Sequence, residues 1–157
     1  AALLRAGRFE EAVTEARQSI AFDPNFARGH SALGWALIAL GEHVEGIAEM
    51  EWAERVSNGD PTFLAQLGEA YATVGRTDEA RAVLGRLETL ATRRVVSPYS
   101  FAYVHTGLGE HERALDYLEQ AHAERSGAIF AIKGSFLFVP LRGHPRFEAL
   151  LAKMHLA

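Results

Sequence analysis

Gly7, Gly41, Gly75 and Gly109 stand 34 residues apart, and Ala12, Gly46, Ala80 and Ala114 repeat the same step five positions later. Two columns in phase require one supersecondary unit used four times without an insertion or deletion. Each copy carries two apolar stripes at three- to four-residue spacing, the pattern of amphipathic helices. A glycine between the stripes tolerates the left-handed backbone that ends one helix and turns the chain into the next. The expected fold is therefore all-α: a right-handed α-solenoid of stacked antiparallel helix pairs.

The columns also set the phase. Residues 27–60, 61–94 and 95–128 are full units, residues 1–26 are a partial unit, and residues 129–157 lie outside the register. All of it reads as one domain, 1–157. The seventh position of each full unit holds Leu33, Leu67 or Phe101, and the eighth holds Gly34, Gly68 or Ala102. The large residue fills the space between helices, and the small one admits a close neighbour. The second column, at the twentieth position, is small for the same reason. Asp60-Pro61 and Ser97-Pro98 read as an N-cap followed by a proline in the first helical turn.

These residues resemble the tetratricopeptide repeat, whose pattern asks for Leu, Gly, Ala and Ala at positions 7, 8, 20 and 27 among others. The favoured Trp of position 4 is replaced by His30, Leu64 and Pro98, and only Pro24 meets the proline of position 32. The resemblance covers about residues 1–128. It implies a non-enzymatic scaffold for protein–protein interaction. In this family the first helices line a concave groove, and positions 2, 5, 9, 12 and 13 face it. Here those positions hold Arg28, Ser31, Trp35, Ile38 and Ala39, then Thr62, Ala65, Glu69, Ala72 and Thr73, then Val96, Tyr99, Tyr103, Thr106 and Gly107. Some of these, Ile38 and Val96 in particular, read equally well as packing between helices.

The candidate ligand-contacting set is Arg28, Ser31, Trp35, Thr62, Glu69, Thr73, Tyr99 and Tyr103. Trp and Tyr serve as anchors because they combine an apolar body with a polar tip. The Lys and Asn that grip chaperone C-termini in related repeats are absent from positions 5 and 9. The expected ligand is a peptide or helix with apolar side chains and a basic residue near Glu69.

Composition narrows the alternatives. A net charge of −4 offers no broad attraction to nucleic acid or anionic lipid. No apolar run approaches the ~20 residues that span a bilayer. With no cysteine, disulfides and thiolate metal sites are excluded, and a cytoplasmic location is expected. The basic residues are nearly all arginine, only Lys133 and Lys153 being lysines, which suggests a bacterial source. The chain opens on Ala1 partway through a unit, so it is expected to be part of a longer protein.

Chemistry is sparse. The seven histidines form no HExxH arrangement. His43 and His111 fall in turns, and His105 takes a core position. Glu49, Glu51 and Glu54 read as a solvated helix face. No catalytic group, metal or cofactor is expected.

The tail from 129 contains the most apolar stretch, Ile129 to Leu141, expected as a short helix followed by an extended segment. His144-Pro145 then opens a last helix with Phe147, Leu150, Leu151 and Met154 inward, a cap for the solenoid end. The segment Pro140-Leu141-Arg142-x-His144-Pro145-Arg146-Phe147-x-x-Leu150-Leu151 resembles the end of tetratricopeptide regions in bacterial regulators. These include adenylate cyclases, winged-helix transcription regulators and TolB-like proteins. The resemblance implies attachment to a regulatory module. Two rivals to peptide binding are architectural: a homodimer through Trp52 or the Phe136–Leu141 run, or a groove that senses a small molecule.

Overall fold

The computed structural model describes residues 2–156. Its helices are α1 (Ala2–Arg5), α2 (Phe9–Phe22), α3 (Ala27–Ala39), α4 (His43–Val56), α5 (Pro61–Thr73), α6 (Thr77–Ala91), α7 (Pro98–Gly107), α8 (His111–Ala123) and α9 (Pro145–Lys153). Two 3-10 helices, Gly127–Gly134 and Phe136–Leu141, join α8 to α9. Among the described residues there is no strand. Helices α3 and α4, α5 and α6, and α7 and α8 pair, while α1, α3, α5 and α7 touch in succession as an inner row. The architecture is the α-solenoid that the periodicity demands.

The glycine column makes the turns. Gly41, Gly75 and Gly109 have φ of +88°, +83° and +73°. The small-residue column makes the crossings. A Cβ on Gly46 would meet Ile38 Cγ1 at 2.7 Å and the Gly34 carbonyl oxygen at 2.9 Å. The α3–α4 pair is therefore closed to anything larger than hydrogen at that point.

The predicted starts form as read. The Asp60 carboxylate accepts from the Thr62 amide at 2.8 Å, and the Ser97 hydroxyl accepts from the Tyr99 amide at 3.2 Å. Each leaves a proline in the first turn, where its missing N–H matters least. His144 does the same for α9, its Nδ1 accepting from the Arg146 amide at 3.3 Å. Phe147, Leu150, Leu151 and Met154 are buried, and α9 lies on α8.

Two expectations are corrected. The tail is neither a short α-helix nor an extended segment. Gly134, Ser135 and Pro140 interrupt an α-helix, and an extended backbone over an apolar surface would leave its polar groups unpaired. Short 3-10 turns satisfy some of them locally, for example Arg142 N to the Val139 carbonyl at 3.1 Å. Nor are Glu49, Glu51 and Glu54 a merely solvated face. Glu49 lies 2.6 Å from His30 Nδ1, Glu51 accepts from the Tyr71 hydroxyl at 2.8 Å, and Glu54 accepts from Arg86 at 2.7 Å. The last two bonds tie one unit to the next. Gly143, a further 34 residues after Gly109, has φ of +81°. The turn of the repeat thus persists in the tail although its first helix does not.

Candidate functional site: the inner groove

The inner row presents a face that the tail crosses. After α8 the first 3-10 helix runs back toward the N-terminal end, where Gly134 lies close to the Arg5 guanidinium. Phe136 then meets Trp35 edge-on, with ring centroids 5.6 Å apart. Two residues later Phe138 meets Tyr99 at 5.2 Å in a tilted edge contact and stacks on Tyr103 at 5.1 Å. Tyr99 and Tyr103, one turn apart on α7, make their own edge contact at 4.8 Å. The tail returns to α8 through α9.

This path divides the candidate residues into two groups. Trp35, Tyr99 and Tyr103 lie buried beneath the tail, and Glu69 is buried on α5 between their helices, only 4% exposed. Burial pushes the Tyr99 hydroxyl up to about 12 and the Tyr103 hydroxyl higher, with the Ser135 hydroxyl working the other way on both. Burial also raises the Glu69 carboxyl well above the ordinary carboxylate range, so it is neutral in the folded chain. Neither Glu69 Oε2 nor Trp35 Nε1 has a hydrogen-bond partner. An unmet polar group in so dry a place is costly and calls for a reason.

The other group remains open. Arg28, Ser31 and Thr62 line a cavity of about 520 Å³, together with the near edge of Trp35 and with Phe136 and Leu137 of the tail. Ser31 donates to Gln66 Oε1 at 2.6 Å across α3 and α5. Arg28 and Thr62 are exposed, and Asp60 and Glu15 add carboxylates to the rim. The far wall is the α2 face of Ala12, Ala16 and Ser19. In the next unit the equivalent face of α4, at Gly46, Met50 and Ala53, is covered by α3. The cavity is thus shaped like the seat of a short helix. Thr73 stands apart, exposed at the end of α5, its hydroxyl donating to the Glu69 carbonyl at 2.9 Å.

The histidines sit outside this groove's open part. His105 is buried against Tyr117 at 5.4 Å between ring centroids, its Nδ1 2.6 Å from Glu110 Oε2. His43 is exposed and His111 half-buried. Among the described residues no cluster of three His, Asp or Glu could hold a metal ion. No described helix is long and apolar enough to cross a membrane. Two participants escaped the sequence reading. Gln66 sits at position 6, which the family pattern does not single out. The Phe136 and Phe138 pair occupies the groove itself, and its only sequence signal was an apolar run with aromatics two apart.

A family model described as tetratricopeptide repeat matches residues 1–18, 27–52 and 61–86. Those three stretches carry tetratricopeptide repeats, a class that generally mediates protein–protein interaction. No curated protein and no solved structure matches significantly.

Proposed function

We propose that this tetratricopeptide repeat chain is a non-enzymatic scaffold that seats a polypeptide segment in the open part of its inner groove. The observation that carries the reading is the cavity of about 520 Å³ in which Arg28, Ser31, Trp35 and Thr62 converge. An apolar floor with a few polar groups at the rim is the usual make-up of a specific seat. A short helix suits it best, because the α2 wall repeats the surface that α4 offers α3. Arg28 favours a carboxylate on the segment, and Asp60 and Glu15 favour a base near its other side. The likeness of the tail to those of bacterial regulators supports placing the scaffold within a cytoplasmic regulatory protein.

Selection of helical peptides from a random library against the whole chain tests this reading. Selected peptides should lose at least about tenfold in affinity when Arg28→Glu and Thr62→Tyr alter the rim and fill the seat. Peptides that bind both chains equally well would place the interaction elsewhere.

A second reading has its own observation. Phe22 is 95% exposed, and Phe26 and Trp52 stand half-open beside the same turn, Trp52 donating to the Pro24 carbonyl at 3.3 Å. Such a patch suits contact between two copies. Light scattering that gives a monomer at every concentration removes it.

A further inference from the structure

The tail segment leaves two things unexplained. It covers Trp35, Tyr99 and Tyr103 with two phenylalanines, yet beneath it Trp35 Nε1 and Glu69 Oε2 stay unpaired. It also crosses the groove as a 3-10 helix with Pro140 inside, the least cooperative of the regular helices. A 3-10 turn spends its backbone groups on itself, as in Arg142 N to the Val139 carbonyl and Leu137 N to Ser135 Oγ. It therefore has few left for the side chains below.

An extended segment differs on both counts. Its backbone N–H and C=O groups are free, and residues two apart point to the same side. An aromatic-x-aromatic pair in that conformation keeps both anchors over Trp35 and the two tyrosines. At the same time its backbone can offer an acceptor to Trp35 Nε1 and a hydrogen-bonding group to Glu69.

We infer that residues Phe136–Leu141 are an internal, displaceable occupant of a second binding site, whose partner is an extended polypeptide segment with an aromatic-x-aromatic pair. The site lies on α3, α5 and α7, deeper in the groove than the open seat. The inference rests on the groove's being a binding surface, but it stands or falls on different residues from those of the open seat.

The test uses the whole chain and a fluorescent synthetic peptide with the sequence of residues 133–142. Phe136→Ala with Phe138→Ala weakens the internal occupant. By fluorescence anisotropy the peptide should bind this variant at least about tenfold more tightly than it binds the unaltered chain. The same peptide with both phenylalanines replaced by alanine should not bind, and Arg28→Glu should leave the affinity unchanged. Equal affinity for the two chains, or no binding by a variant whose circular dichroism shows intact helices, overturns the inference. Should the variant not fold, hydrogen exchange on the unaltered chain decides. Amides of residues 136–141 should exchange at least about a hundredfold faster than those of α7, as a separately opening segment does. Exchange in step with α7 makes the tail a permanent part of the core and also overturns it.

Discussion

Phe138 lies flat on Tyr103, their ring planes 6° apart and their centroids 5.1 Å apart, while Tyr99 closes the sandwich's edge. Phe138 is 1% exposed. The contact joins the tail to the inner row, so it should carry much of the tail's share of stability. Phe138→Ala should cost about 3–5 kcal/mol, the range for a fully buried Phe. In a double-mutant cycle with Tyr103→Leu, the pair should couple by about 0.5–1.5 kcal/mol beyond the area each buries. Urea denaturation of the four chains measures both. A coupling near zero would mean the rings merely share a cavity.

That contact shows where sequence reasoning stops. The turns and crossings were legible because Gly41, Gly75, Gly46 and Ala80 obey local rules that repeat. Trp35, Tyr99 and Tyr103 were legible as one face because position 5 and position 9 sit one helical turn apart. What covers that face was not. Phe136 is about a hundred residues from Trp35 in sequence, and no period reports a contact made once. Glu51 was misread for the same reason. Its bond to Tyr71 crosses from one unit to the next, so a single helical wheel shows it only as a charge among charges.

Glu69 should make stability depend on pH in an unusual direction. Its carboxyl is raised by burial, whereas in the unfolded chain it titrates near about 4.3. Below that value both states hold the proton and the group costs nothing. As pH rises, the unfolded carboxyl ionises first and the folded one stays neutral, so the unfolded state gains. The group's contribution is thus fullest in acid and is lost as pH climbs toward the raised folded value. Glu69→Gln removes this term. Groups facing the site, Tyr99 and Tyr103, titrate far above it and are common to both chains. Calorimetry from pH 4 to pH 8 should therefore show the melting point of the variant rising relative to the unaltered chain with pH. A constant difference would mean that Glu69 is solvated.

Two glycines inside helices should respond oppositely to the same change. Gly85, on the exposed side of α6, has nothing within 4 Å of a built Cβ, so Gly85→Ala should stabilise by about 0.5–1 kcal/mol through helix propensity. Gly46→Ala gains the same propensity but drives its methyl to 2.9 Å from the Gly34 carbonyl, a backbone atom that cannot rotate away. Overpacking of this kind costs about 1–3 kcal/mol, so the net sign should be destabilising. Chemical denaturation of the two single variants checks the pair. Stabilisation in both would show that the α3–α4 crossing has slack.

Arg146 fastens the cap. Its guanidinium donates to Glu112 at 2.6 Å, to Asp116 at 2.7 Å and to Glu119 at 3.0 and 3.1 Å, three carboxylates along one side of α8. These bonds hold its proton well beyond the ordinary arginine range, the bond to Glu119 contributing most. Each pair is partly exposed, so salt and solvent screen it, and the set should contribute modestly at physiological ionic strength. Arg146→Gln leaves the helix start intact, because His144 Nδ1 bonds the backbone amide at 146 and not the side chain. It also leaves three acidic side chains on α8 without their shared cation. The variant should melt below the unaltered chain in dilute buffer, and the gap should shrink toward zero in about 1 M salt, where the screening length falls to about 3 Å. A gap that persists unchanged in high salt would assign the loss to the packing of the arginine's methylenes against α8.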